Sequence, residues 1–272
     1  MKNFFSAFLG FTSLLFFESH AQNSAERNQK ISQLISQMTL EEKVGQMTNL
    51  TLTTVAGNTD EPVKLDPAKV RDVIVNHHIG SVQNVVSHAY SLEEWHTIIK
   101  TLQDVSLKET RLKIPFMYNI DAVHGCNYTL GSTLFPHNLG MAATRNPDLV
   151  KLCADITARE VRASGIRWNF SPVLDVGRQP LWPRFGETFG EDVFLTKTMG
   201  LASIQGYEGS SLKTKGVASC MKHFVGYSVP ASGKDRAPAY IPEIVLREYF
   251  LPSFKAAIDG GARTVMINSA EV

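Results

Sequence analysis

The chain has 272 residues, with 27 Lys and Arg against 26 Asp and Glu, a formal net charge of +1 and a hydrophobic fraction of 43%. That length suits one large domain or two small ones, and that composition is ordinary for a globular protein with a sizeable core. The near-zero charge excludes the electrostatic footprint of a nucleic-acid or anionic-membrane binder, and it suits an uncharged partner.

The first residues are expected to lie outside the fold. Lys2 precedes an apolar run from Phe4 to Phe17, and Ser19-His20-Ala21 places small residues where a signal peptidase reads. Residues 1–21 therefore read as a secretory signal peptide, too short to span a membrane comfortably. The expected location is secreted or periplasmic, with no membrane anchor after cleavage. Asn49-Leu50-Thr51 and Asn127-Tyr128-Thr129 match the glycosylation pattern, which matters only in a eukaryotic secretory pathway. Cys126, Cys153 and Cys220 match no zinc spacing and are expected as buried thiols.

Helix starts then follow in order. Thr39-Leu40-Glu41-Glu42 and Ser91-Leu92-Glu93-Glu94 are capping boxes. Asp66-Pro67 and Asn146-Pro147 each put a capping side chain before a first-turn proline. Further helices are predicted from about Val193 to Gln205, and from about Pro242 to Gly260-Gly261 with a kink at Pro252. Between them, short apolar runs predict strands near Val44–Leu50, Gly80–Val85, Pro115–Asp121, Ile166–Val176, Val217–Phe224 and Thr264–Ser269. The first of these also reads as helix.

Alternating strands and helices mean βαβ units. A doubly wound sheet would carry a Gly-rich phosphate turn after an early strand, and none is present. Polar residues instead close several different strands: Asp121, Asp175, Lys222-His223 and Asn268-Ser269. A (β/α)8 TIM-type barrel gathers such residues at one point. About six of its eight βα units are present, so the barrel is expected to be incomplete.

Three segments carry chemistry. Asp121 closes a buried strand and can accept two sugar hydroxyl bonds, or cap the following segment. In Asp175–Asp192, Arg184 and Glu187 stand three apart among aromatics and glycines. Arg184 offers a rigid fork of donors for adjacent hydroxyls, and Glu187 can hold that fork. The alternative is a surface ion pair. In Cys220–Phe224, Lys222 and His223 end a very apolar strand, and the ammonium must meet a carboxylate or a ligand. No histidine shows paired metal spacing, so no metal or other cofactor is expected.

At these residues the sequence resembles glycoside hydrolase family 3. MTLEEKVGQM, IDAVHG, TLFPHNLGMAAT, FSPVLDVGRQPLWPRFGETFGED, KHFVGY and SGKDRAPAYIPE occur in the family's order and span essentially residues 22–272. The resemblance is strongest to bacterial β-glucosidases. It implies hydrolysis of terminal non-reducing β-D-glucosyl residues from oligosaccharides by a retaining, two-carboxylate mechanism. It makes Asp121, Arg184, Lys222 and His223 substrate-binding, with Glu187 supporting Arg184. It also implies that no catalytic residue lies in this chain. The nucleophilic Asp of a GxxxSDW-like motif is expected beyond Val272, and the acid/base Glu in a missing C-terminal αβα domain. One branch, the hexosaminidases, uses an Asp-x-His pair after KHFPGHG. Here Val225 and Tyr227 replace the Pro and second His, and Asp235 is followed by Arg236 and Ala237, which argues for the glucosidase branch. The competing expectations are a non-catalytic periplasmic sugar-binding protein and a β-xylosidase of the same family.

Overall fold

A computed structural model describes residues 25–209 and 216–272. The predicted signal peptide falls outside the described residues.

Six strands form one sheet in sequence order: β1 (Asn49–Thr51), β2 (Ser81–Gln83), β3 (Met117–Ile120), β4 (Trp168–Asn169), β5 (Ala218–Phe224) and β6 (Thr264–Ile267). Every neighbouring pair is parallel. The sheet curls into a half-barrel, an incomplete (β/α)8 barrel of the predicted class. Parallel neighbours in sequence order require a crossover between each pair, and the helices supply most of them.

Helix α1 covers residues 25–37 and was not foreseen. Helix α2 (Leu40–Gln46) begins at the Thr39 capping box, with both reciprocal bonds present. The helical pattern therefore wins over the strand pattern at Val44, and the first strand shrinks to Asn49–Thr51. Helix α3 (Pro67–Arg71) starts at the Asp66 cap and continues into a π turn, Asp72–Asn76. Helix α4 (Leu92–Glu109) follows the Ser91 capping box and buries Trp95, Ile98, Leu102 and Val105 against the sheet. Trp95 is fully buried, stacks edge-on to Tyr90 and Tyr118, and donates through Nε1 to the Tyr128 carbonyl.

Helix α5 (Asn138–Ala143) has no counterpart among the predicted elements. Its N-cap is His137, whose side chain makes no capping bond, so the usual start signal is missing. Helix α6 (Pro147–Ala163) starts at the predicted Asn146 cap, and α7 (Val193–Glu208) runs three residues beyond Gln205. The last helical stretch comprises α8 (Glu243–Val245), a π turn at Leu246–Phe250 and α9 (Leu251–Asp259). The expected break at Pro252 thus takes the form of a π turn that ends just before the proline. The π geometry shifts the hydrogen-bond register where Pro252 has no N–H to give.

The strand predicted over Ile166–Val176 pairs regularly only at Trp168–Asn169. Pro172 has no donor for the ladder, and the segment rejoins β5 through a bridge between Val173 and Lys222.

Helices α6 and α7 cross at Gly206, where a Cβ would stand 2.4 Å from the Lys151 carbonyl oxygen and 2.6 Å from the Ala154 Cβ. Neither atom is the end of a flexible side chain, so the helices must move apart. Gly206→Ala should cost about 1–3 kcal/mol, as overpacking does. Urea denaturation would show a lower midpoint at unchanged slope.

All three cysteines are free; Cys126 and Cys220 are buried and Cys153 is half-buried. Burial pushes each thiol up, which disfavours the reactive thiolate. Of the two glycosylation patterns, one has its asparagine on a strand and the other in a turn. Asn49 is in β1, its amide bonded to Gln83 Oε1 at 2.7 Å, and Thr129 is buried against Ser164.

Candidate active site

The C-terminal ends of the strands open onto a pocket of about 460 Å³, within the range of small-molecule sites. Its lining includes Asp121, Arg184, Glu187, Lys222 and His223. All five residues singled out in the sequence are therefore brought together, from the residue just after β3, the β4–α7 loop and β5.

The floor is built from β3 and β5. In β5, Met221 packs among Leu174 and Phe254 on the helix side. Strand alternation turns the next residue, Lys222, into the barrel. There its Nζ donates to Asp121 Oδ1 at 2.5 Å, with Lys222 2% and Asp121 29% exposed. Asp121 is not a helix cap. Its Oδ2 accepts from Asn84 Nδ2 at 3.0 Å, and its backbone N–H donates to Asn84 Oδ1 at 3.2 Å. Burial pushes the Asp121 carboxyl up, but the charge and hydrogen bond of Lys222, with Asn84 and the charge of Arg184, pull it down further, so it lies below its ordinary value. Asn84 was not foreseen. It directly follows β2 with φ of 60°, a left-handed conformation that Asn tolerates better than most residues.

The wall comes from the β4–α7 loop. Arg184 Nε and Nη2 donate to Glu187 Oε1 and Oε2 at 2.7 and 2.8 Å, a bidentate pair across the 3-10 turn Phe185–Glu187. Burial opposes the charge on both partners. The hydrogen bonds outweigh it, so the guanidinium lies above and the Glu187 carboxyl below its ordinary value. The side chains are 26% and 21% exposed, which places the pair within the wall and not on open surface. The Arg184 guanidinium carbon also lies 5.8 Å from the Tyr227 ring centroid.

Behind the wall, Asp235 Oδ1 accepts from Trp182 Nε1 at 2.9 Å and from the Tyr227 hydroxyl at 2.7 Å. One carboxylate thus ties the loop after β5 to the loop that carries Arg184. Asp235→Ala would leave two donors of buried rings without an acceptor. It should destabilise the chain by about 1–3 kcal/mol, read as a lowered melting temperature.

Near Glu187, the His124 and His137 rings lie 4.2 Å apart in the pocket lining. Burial and the neighbouring His124 hold His137 below the ordinary histidine value. Asn268, expected among the strand-end groups, turns away: its Nδ2 donates to the Val225 carbonyl, and Met266 of β6 lines the pocket instead. Among the described residues no group of three His, Cys, Asp or Glu side chains could hold a metal ion, and no helix is long and apolar enough to cross a membrane.

The pocket is thus a polar cup of paired charges at the C-terminal mouth of a βα half-barrel, the arrangement that defines TIM-barrel enzyme sites. Residues 39–271 match the glycosyl hydrolase family 3 N terminal domain, and the chain belongs to that family. It is 41% identical over 261 residues to the lysosomal beta glucosidase of Dictyostelium discoideum, covering 90% of this chain and 32% of that protein. It is 30% identical to the periplasmic beta-glucosidase of Salmonella typhimurium, covering 92% of this chain and 30% of that one. Among solved structures it resembles the beta-glucosidase of Listeria innocua, with a TM-score of 0.75 at 30% identity over 89% of this chain and 33% of that one. The exo-1,3/1,4-beta-glucanase of a Pseudoalteromonas species is similar, with a TM-score of 0.76 at 30% identity over 89% of this chain and 30% of that one. The chain spans about a third of the length of the curated relatives it matches.

Proposed function

We propose that this chain forms the sugar-binding floor of a retaining exo-acting β-glucosidase, receiving the terminal non-reducing glucosyl unit of an oligosaccharide. The observation that carries the proposal is the convergence of Asp121, Arg184, Lys222 and His223 on one pocket. A pyranose presents a ring of hydroxyls, each able to donate and accept. Lys222 and Arg184 supply donors only, and Asp121 supplies acceptors only. Glu187 keeps the Arg184 fork pointed, as a clamp for adjacent hydroxyls requires. The ion pairs leave the cup nearly neutral, which suits an uncharged ligand.

Support also comes from the similar Listeria innocua enzyme, whose crystal structures include complexes with glucose and laminaribiose. In retaining hydrolysis one carboxylate attacks the anomeric carbon while a second carboxyl protonates the leaving oxygen and then activates water. Asp121 is committed to Lys222 and Asn84, so the proposal assigns both chemical roles to carboxylates outside this chain. Residues 1–21 act as an export signal in this proposal, and residues 22–272 as the barrel domain, working outside the cytoplasm. Periplasmic relatives support that location.

A β-xylosidase reading is favoured by one specific observation: a beta-xylosidase of Formosa agariphila is 30% identical over 95% of this chain. The test is calorimetric titration of the chain with glucose and with xylose, beside hydrolysis of aryl β-glucoside and aryl β-xyloside by the gene product. Glucose binding with preferential glucoside cleavage is expected. Tighter xylose binding with faster xyloside cleavage would move the assignment to xylosidase, and no binding of either sugar would remove the sugar-site reading.

A further inference from the structure

We propose that Asp175 is the positioning residue for His223: it holds the imidazole by Nδ1 and leaves Nε2 facing the pocket as a hydrogen-bond acceptor. Both residues are buried, Asp175 at 2% and His223 at 5% exposure. Asp175 Oδ2 accepts from the His223 backbone N–H at 3.0 Å and lies 2.8 Å from Nδ1. One oxygen thus fixes both the main chain and the ring. The other, Oδ1, is buried and has no partner among the described residues, so His223 is the whole of this carboxylate's hydrogen bonding there. The Tyr227 ring stands edge-on to the imidazole with centroids 4.8 Å apart. Together, the carboxylate and the ring leave the side chain little freedom to turn.

A carboxylate oxygen only accepts, so the proton of the neutral ring sits on Nδ1 and the lone pair on Nε2. Nε2 makes no hydrogen bond among the described residues, and His223 lines the pocket. Lys222 and Arg184 have no lone pair to offer, and each Asp121 oxygen already accepts one bond, from Lys222 or from Asn84, keeping a second lone pair. Nε2 thus adds an acceptor to the cup beside Asp121, able to take a hydroxyl proton. The proposed contact with a sugar hydroxyl rests on the sugar-site reading; the tautomer does not.

The test uses the full chain with 15N-labelled histidine at pH 8, its His223 signals assigned through His223→Gln. Long-range proton–nitrogen correlation should show Nδ1 protonated and Nε2 bare, and glucose should move the Nε2 signal more than Nδ1. The reverse tautomer would overturn the proposal. In Asp175→Ala, which removes the accepting oxygen, the Nδ1–H preference should be lost and glucose affinity should fall about tenfold. An unchanged tautomer in that variant would also overturn it. If Asp175→Ala does not fold, the wild-type spectrum still decides. Wild-type chain with the expected tautomer but no response to glucose would end the sugar-site reading while leaving the role of Asp175 standing.

Discussion

Asp121→Ala should destabilise the chain by about 3–5 kcal/mol, the cost of removing one partner from a buried ion pair. It should also lower glucose affinity at least 100-fold. The stability term arises because Lys222 is 2% exposed, and its ammonium would lose the carboxylate 2.5 Å away. The binding term arises because Asp121 is the carboxylate shared by the β2 end, through Asn84, and by β5, through Lys222. Its loss frees both floor groups at once. Asp121→Asn separates the two terms, since it keeps the shape and one accepting oxygen but removes the charge. It should recover part of the stability and little of the binding. Chemical denaturation and calorimetric titration with glucose measure the two. A variant with wild-type stability would show that Lys222 has another partner.

The same pair sets a pH dependence. The folded Asp121 carboxyl lies below its ordinary value, as does Glu187. Each therefore contributes stability that is fully present above the unfolded carboxylate range, about pH 4. That contribution fades as pH falls from there through the depressed folded values. Melting temperature should be flat with respect to these groups from pH 7 to about pH 5 and fall below about pH 4. Asp121→Asn should flatten part of that fall.

Much of this site was legible from local chemistry. A lysine closing an apolar strand demands a carboxylate, and Asp121 was the polar residue closing another such strand. What could not be read was which groups meet. Asp121 and Lys222 are 101 residues apart, and Asp175 and His223 are 48 apart, so only the closing of the sheet brings them together. Asp175 stood among the strand-end polar groups, yet its role behind His223 depends on burial that no local pattern shows. Asn84 and Asp235 were missed as site-builders for a related reason: each acts through a partner on another loop. The only local trace of Asn84 was an amide residue just after a strand, able to take a left-handed turn. Among the elements, capped helices were read closely, while α5 was missed because His137 supplies no capping side chain. Strand lengths were overestimated because apolar composition marks burial, whereas regular pairing stops wherever a proline or a turn withdraws a donor, as at Pro172.

Glu187→Ala should cost less stability than the Asp121 change but nearly as much binding. Arg184 would keep its charge and lose the bidentate support that fixes its fork, which now rests on two bonds of 2.7 and 2.8 Å. The pair is about a quarter exposed, so water can reach the freed guanidinium, and the stability loss should be about 1–2 kcal/mol. Glucose affinity should fall 10- to 100-fold, because an arginine free to rotate must be ordered again on each binding event. Arg184→Lys is the informative companion. It keeps the cation but replaces a planar fork by a point charge, so it should lose affinity similarly while Glu187 keeps an ionic partner and the fold keeps its stability. If Arg184→Lys bound glucose as well as wild type, charge alone would explain the site and the clamp geometry would be dispensable. If Glu187→Ala lost affinity while Arg184→Lys did not, Glu187 would have to touch the sugar itself instead of acting through Arg184.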